Sequence, residues 1–394
     1  MLPATSHRSA GRRRLLRTAT AALMMSIASV PVAQAALAAS QPGSYTVPSS
    51  VPKGCVADAS PALQSWIATV PNNSVIWFPP NACYGLNESI EVNGRSGLTF
   101  NGQGATIEAI TTGGMDRRSL WFANDSNIAI NNLKIIGADS SNTYNGGLAF
   151  QGGIEFDGVQ GATLKDVTIE HTYGDFITLD PWSMPGGPNI PCRNVIVENS
   201  TLNGAGRQGI SFTDVDGVQI LNNSISDVAL DTFDLEADWA SEQATNITIA
   251  DNTATPGPGN HELFFSNVGN STDTGYITVQ GNVMTGFENG AVVLVQAPSG
   301  STRGPFFFQN NTFWAGASAY VPAFDFIGCL NCSVTSNTVY FLGAGNPNSI
   351  HETVMKLDNS SNASLVGNTL SGPGTLVTAA NSTYQASANT TLLG

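Results

Sequence analysis

One short phrase recurs along the chain and restricts what it can fold into. It runs as a β-branched alternation, an Asn or Asp, then another polar or small residue. It reads Ile128-Ala129-Ile130-Asn131-Asn132-Leu133, then Val195-Ile196-Val197-Glu198-Asn199-Ser200 and Val218-Gln219-Ile220-Leu221-Asn222-Asn223. It returns as Ile247-Thr248-Ile249-Ala250-Asp251-Asn252, Ile277-Thr278-Val279-Gln280-Gly281-Asn282 and Phe306-Phe307-Phe308-Gln309-Asn310-Asn311. Shorter copies end at Asn337 and Asn368, and Asp166 holds the same place after Leu164-Lys165. From Asn132 through Asp166, Asn199, Asn223, Asn252, Asn282, Asn311, Asn337 and Asn368 the intervals are 34, 33, 24, 29, 30, 29, 26 and 31. Self-similarity at such a period marks a stacked-repeat architecture. The spacing is too long for a hairpin meander, and the two-residue alternation is wrong for helical repeats. It suits one coil of a parallel β-helix with three short strands. The Asn belongs at a sharp bend, where it tolerates left-handed dihedrals and bonds local backbone. Stacked copies would form an Asn ladder, and such a solenoid needs capped ends.

The two ends of the first hundred residues read differently. Arg8, Arg12, Arg13, Arg14 and Arg17 precede an apolar stretch from about Thr18 to Val30 and then Ala33-Gln34-Ala35. Basic, apolar and small-residue regions in that order describe a cleavable export signal over residues 1–35, cut after Ala35 or Ala38. Arg12-Arg13-Arg14-Leu15-Leu16 also fits the twin-arginine pattern. The apolar run is too short for a membrane span, and no later segment is long and apolar enough to be one. The β-helix domain is expected over 41–394, with an N-terminal cap over about 50–95 and coils over about 96–380. In the cap, Pro61 to Ile67 has helical apolar spacing with Ser60 as N-cap. Val75-Ile76-Trp77-Phe78 reads as a strand stopped by Pro79-Pro80. A helix over the open end of the coil would block edge-to-edge pairing.

Charge and cysteines narrow the function. Five of the 15 basic residues lie in the signal, leaving 10 against 29 acids, a mature net charge of −19. Such a surface repels nucleic acid, which is bound mainly through phosphates. It also repels an acidic polysaccharide unless a cation such as Ca²⁺ intervenes. Export permits disulfides. Cys55–Cys83 and Cys329–Cys332 are the expected pairs, leaving Cys192 free. The lone C-x-x-C of Cys329 and Cys332 has no partner pair for zinc. Oligomeric state stays open.

Asp58-Ala59-Ser60-Pro61-Ala62-Leu63-Gln64, followed by Ile76-Trp77-Phe78-Pro79-Pro80 and Tyr84, resembles the opening of pectate-lyase-superfamily proteins. Arg207-Gln208-Gly209-Ile210-Ser211 and Phe233-Asp234-Leu235-Glu236 also resemble that superfamily and its glycoside-hydrolase-like relatives. The likeness covers roughly residues 50–380. It implies an all-β, single-stranded, right-handed parallel β-helix with an N-terminal capping helix, and carbohydrate chemistry. It does not select hydrolase, lyase, epimerase or binding protein. The complete catalytic set of the polygalacturonase-type hydrolases is missing, as is a matching lyase base motif.

Apolar alternation aligns Ile154/Phe156, Ile177/Leu179, Ile210/Phe212, Phe233/Leu235, Leu263/Phe265, Phe324/Phe326 and Met355/Leu357 as inward pairs. One outward column then reads Asp157, Asp180, Thr213, Glu236, Ser266. A second reads Glu155, Thr178, Ser211, Asp234, Phe264, Asp325, Lys356. A third, at the strand entrance, reads Asp175, Gln208, Asp231, His261. Acids thus gather on neighbouring coils. Asp180, Asp234 and Glu236 are the candidate catalytic carboxylates. Arg207, His261, Asp175 and Asp231 are candidate substrate-orienting groups. Tyr173, Trp182 and Trp239 are candidate walls for sugar rings, joined by His171 and Phe264. Turn chemistry is an alternative for Asp175 and His261 and the favoured reading for Asp231.

Three readings follow. The first is an exported inverting glycoside hydrolase with paired carboxylates and no cofactor. The second is a Ca²⁺-dependent uronide lyase, with Asp180, Asp234 and Glu236 on the ion and Arg207 as base. The third is a non-catalytic carbohydrate-binding surface protein. All three take a polysaccharide or oligosaccharide as partner.

Overall fold

The structure, a computed structural model, describes residues 42–394 apart from 115, 184–187, 258–263, 267–270, 272–273, 286–290, 316–321, 342–352, 372–374 and 393–394. The expected export signal and His261 lie outside the described residues. Among those residues, every strand pairing is parallel except a hairpin between Trp182–Ser183 and Asn189–Ile190. The repeat becomes coils of three strands. Cys192–Glu198, Thr201–Ala205 and Ile210–Phe212 make one, and Val215–Leu221, Ser224–Val228 and Phe233–Leu235 make the next. Register is kept from coil to coil, so Val195, Val218, Ile247, Ile277 and Phe306 form one inward file. A 23-stranded sheet covers two faces of the coil, and an 11-stranded sheet from Ile90–Asn93 to Thr375–Ala380 forms the third. This is the expected parallel β-helix.

The core is a column of side chains stacked along the axis. Phe100, Phe122 and Phe156 meet at centroid distances of 5.4 and 5.3 Å. Burying one such Phe is worth roughly 1.5–3 kcal/mol. The cap helix spans Ser60–Thr69 and buries Leu63 and Ile67. It begins at Ser60 rather than after it, because Asp58 Oδ1 accepts the Ser60 N–H and hydroxyl at 2.9 and 2.6 Å. Gln64 then closes the sheet edge. Its amide donates to the Glu91 carbonyl at 2.7 Å and accepts the Glu91 N–H at 2.8 Å. The helix thereby satisfies an edge strand that would otherwise pair with another chain.

The bend uses two adjacent positions, not one. Asn132, Asp166, Asn199, Asn222, Asp251, Asn310 and Ser336 adopt positive φ, with Gly281 and Gly367 at equivalent places. The ladder is built by the following residue. Asn223, Asn252, Asn282, Asn311, Asn337 and Asn368 are buried, and each takes the backbone N–H of the ladder residue one coil earlier at 2.8–3.0 Å. Spacing along the chain mixes the two positions, because it sets Asn132, Asp166 and Asn199 level with the ladder. Ser200, not Asn199, occupies the ladder position in its coil, where Asn223 Oδ1 accepts its N–H.

Cys55–Cys83 and Cys329–Cys332 are disulfide-bonded, and Cys192 is free and buried. One register expectation is corrected. Phe233 pairs with Phe264 and Asp234 with Phe265, so Phe264 points inward and is fully buried against Phe306 and Phe308. A one-residue slip exchanges the faces of a strand. Leu263-Phe264-Phe265 offers apolar side chains at both parities, so alternation alone selects the wrong one, and Phe264 is no part of a sugar-binding wall. No helix among the described residues is long and apolar enough to cross a membrane.

Candidate active site

Alternation on the 11-stranded sheet buries Ile177 and Leu179 and turns Thr178 and Asp180 outward. Neighbouring coils do the same, and their outward side chains meet in register. Asp157 pairs with Asp180, Trp121 with Glu155, and Ser211 with Asp234. Two adjoining hollows result. The narrower, about 190 Å³, is lined by Arg118, Phe150, Glu155, Asp175, Thr178, Asp180, Arg207, Thr213 and Glu236, among others. The wider, about 660 Å³, adds Trp121, Asp157, Trp239, Ser241 and Glu242. Arg118, Glu155, Asp180 and Thr213 line both, which makes one acidic groove along the sheet.

Arg207 is the centre of the first group. Its two terminal nitrogens lie 2.8 Å from Asp175 Oδ2 and 2.5 Å from Glu236 Oε1. Asp175 is buried below, where it also accepts the Ser211 hydroxyl at 2.7 Å and the Gln208 N–H at 2.9 Å. Burial raises its carboxyl to about 6, although Arg207 opposes the shift. Asp234 is 1 % exposed and does not line either hollow. The Gln208 amide donates to its Oδ2, while Oδ1 has no hydrogen-bond partner. Burial, and then the adjacent Glu236 charge, lift Asp234 well above the usual carboxylate range.

Three further carboxylates form a second group. Oxygens of Glu155, Asp157 and Asp180 all lie within 4.8 Å of one another. Arg118 pairs with Glu155, and its guanidinium carbon sits 5.3 Å from the Trp121 ring centroid. The Trp121 indole N–H donates to Asp157 Oδ2 at 2.8 Å. Burial is the largest cause of the raised values, about 8 for Glu155 and about 6 for Asp157. Asp180 is raised too, by burial, while a Thr213 hydrogen bond opposes it. Beneath this group the Cys192 thiol donates to the Phe156 and Asp180 carbonyls at 3.2 and 3.3 Å.

The sequence candidates therefore divide. Asp175, Asp180, Arg207, Glu236 and Trp239 line the groove. Asp231 is buried, its N–H held by Gln208 Oε1 at 2.6 Å. Trp182 sits in the hairpin with Ile190, and Tyr173 lies near Arg117; neither lines the groove. His171 has positive φ within the strand Thr168–Thr172, bonds Asn142 at 2.9 Å and lines neither hollow. Sequence reasoning places Glu155 and Asp157 in the outward columns without selecting them, and misses Arg118, Trp121 and Phe150. A cation on Asp180, Asp234 and Glu236 would meet Arg207, which already pairs Glu236, and Gln208, which already donates to Asp234. The carboxylates that converge are Glu155, Asp157 and Asp180.

Fold and groove define the class: this is a right-handed parallel β-helix protein, and residues 81–254 match the family described as right handed beta helix region. Three solved structures share the architecture. A family 28 exopolygalacturonase of Yersinia enterocolitica is 13 % identical with a TM-score of 0.58, over 89 % of this chain and 78 % of its own. The catalytic unit of a GH87 α-1,3-glucanase of Streptomyces thermodiastaticus is 15 % identical with a TM-score of 0.57, over 89 % and 70 %. The A-module of the mannuronan C-5 epimerase AlgE6 of Azotobacter vinelandii is 16 % identical with a TM-score of 0.57, over 89 % and 100 %. No curated protein matches the sequence.

Proposed function

We propose that the chain is an exported polysaccharide-active enzyme that hydrolyses glycosidic bonds with inversion. The supporting observation is that Asp180 and Glu236 both line the groove, two coils apart on one sheet, with Arg207 fastened to Glu236. Two coils separate their backbones by about 10 Å. Carboxyls leaning toward each other from there enter the window of roughly 6.5–9.5 Å that leaves room for a water in inverting enzymes.

Asp234 is buried beside the Glu236 charge, which favours its protonated form and makes it the store of the proton that the reaction uses. Glu236, the member lining the groove, passes that proton to the leaving glycosidic oxygen as the bond to the anomeric carbon breaks. Arg207 stabilises the carboxylate that remains on Glu236. Asp180, whose ionised form a Thr213 hydrogen bond favours, takes a proton from the water that attacks the opposite face of the sugar. Trp121 and Trp239 line the wider hollow and present ring surface to neighbouring sugars. Export agrees with two disulfides and with the leader composition.

The test is a polysaccharide panel assayed for reducing ends, for ultraviolet-absorbing unsaturated ends and for the anomer first released. Inverted reducing ends without new absorbance are expected. Unsaturated ends would instead assign a lyase, and retention on polysaccharide gels without either product a binding protein.

A further inference from the structure

We propose that the last described coil docks onto the same coil of a second copy of this chain, edge strand against edge strand. The inference does not rest on the hydrolytic reading. Thr375–Ala380, Tyr384–Ser387 and Thr390–Leu392 pair on one side with Thr353–Asp358, Ala363–Val366 and Thr369–Ser371. Among the described residues no strand meets their other side. Val377, Ala379, Tyr384, Ala386 and Thr391 continue inward files whose members one coil earlier are buried. Here the files end partly buried at Val377 and exposed at the other four, Tyr384 by 47 %.

Charge selects the occupant. The chain carries far more acid than base, so two copies repel wherever their charged surfaces meet. No charged side chain follows Asp358 in the sequence, and no Pro lies between Thr375 and Leu392. Charged side chains and Pro are common means of keeping an exposed edge from pairing. This end lacks both, so it is where two copies of an acidic chain can meet without repulsion. The 18 residues from Thr375 to Leu392 come near the roughly 20–30 a side of a standard interface.

The opposite end is closed by the helix Ser60–Thr69, where Gln64 bonds Glu91. Head-to-tail growth is thereby blocked, and a two-fold pair is the arrangement that closes. A two-fold axis through the 11-stranded sheet sets Thr375–Ala380 antiparallel to its copy, and Tyr384–Ser387 opposite the copy's Thr390–Leu392. Both acidic grooves then lie on one continuous sheet and face the same way. Ile177–Asp180 is seven strands from Thr375–Ala380, which puts the two grooves about 70 Å apart at about 4.8 Å per strand. A long polymer held in one groove would be kept close to the other.

Sedimentation equilibrium of the full chain across the micromolar range provides the test. A monomer–dimer equilibrium is expected. A monomer at every concentration, or an open series of larger species, would overturn the proposal. Thr378→Asp and Gln385→Asp alter exposed side chains and should each weaken the dimer about tenfold or more, because each sets like charges against each other. Tyr276→Arg, on the exposed flank of the helix, should leave it unchanged. Thr378 lies next to the two-fold axis, so mixing Thr378→Asp with Thr378→Lys should restore pairing. A mixture no stronger than either variant alone would exclude this axis. Thermal midpoints report whether each variant folds. Hydrogen exchange needs no variant: amides of Thr375–Ala380 in the unaltered chain should slow as concentration rises. Exchange there that ignores dimer formation would put the interface elsewhere and end the proposal.

Discussion

Arg207 reaches back one coil to Asp175, 2.8 Å away, and so ties the groove floor to a carboxylate that is almost wholly buried. The pair is a structural clamp and an electrostatic one. Removing Arg207 strands Asp175 without its cation, and breaking such a buried pair costs about 3–5 kcal/mol. Arg207→Met should therefore lower the urea midpoint as well as turnover. Adding Asp175→Asn to that variant should recover part of the stability and none of the turnover. A double variant no more stable than Arg207→Met would show that the stranded charge is not the cause.

The carboxylates of the reaction should separate by their pH behaviour. Asp180→Asn and Glu236→Gln should each cut turnover about 100-fold or more with the fold intact, the usual scale for losing a general acid or base. Asp234→Asn should act differently. It removes the buried carboxyl whose protonated form supplies the proton that Glu236 delivers. The alkaline limb of the pH–rate profile should then move to lower pH. An unmoved limb would detach Asp234 from the proton donor.

Stability should carry its own pH signature. Asp125 is buried at a bend, where Oδ1 accepts the Arg95 N–H and Oδ2 has no partner. Burial raises its carboxyl from 3.8 to about 7, opposed by Arg95 and assisted by Glu91. Between these values the unfolded chain has released the proton and the folded chain keeps it. Raising the pH therefore costs stability, from near 3.8 until the folded carboxyl has ionised near 7. Each unit between the two pKa values is worth about 1.4 kcal/mol. Urea midpoints of Asp125→Asn, measured across that window, should fall less steeply than those of the unaltered chain. Parallel curves would exclude Asp125 as a source of the slope.

Much of this is legible in the sequence because a solenoid repeats its signals. Strand, bend and coil length all recur, so Ile177-Thr178-Leu179-Asp180 and Phe233-Asp234-Leu235-Glu236 can be laid side by side from spacing and alternation alone. Asp180, Glu236, Asp175 and Arg207 emerge as neighbours for that reason, and all four line the narrower hollow. What stays hidden are features that alternation cannot decide. Phe264 lies in an apolar run, so its facing depends on register with Phe233. Trp121 pairs with Glu155, yet no Asn phrase announces the strand Leu120–Ala123 that carries it. Arg118 lies just outside that strand and reaches the groove only through its long side chain. The depth of Asp234 depends on Gln208 and Glu236 above it, which no spacing rule contains.

The ladder gives the last prediction, and it turns on a distinction between adjacent Asn residues. Asn282 is buried, and its Oδ1 accepts both the Asn252 N–H at 2.8 Å and the Asn252 side-chain amide at 3.0 Å. Its own amide donates to the Ile249 carbonyl at 2.9 Å and to Asn311 Oδ1 at 2.9 Å. Asn282→Ala thus leaves buried partners unmet on two coils, at about 1–3 kcal/mol for each group stranded. Asn310 stands one residue before a ladder position, is exposed, and has φ 54. Its role is the left-handed bend, which Gly adopts at least as readily. Asn310→Gly should therefore change stability by only a few tenths of a kcal/mol, while Asn282→Ala should destabilise by several times more. Contacts in a solenoid run only between neighbouring coils, so the Asn282 defect should stay local. Hydrogen exchange should quicken at the Asn252, Asn282 and Asn311 amides and stay slow near Asn368. Equal effects of the two substitutions, or exchange loosened along the whole helix, would mean that the ladder does not hold the bends coil by coil.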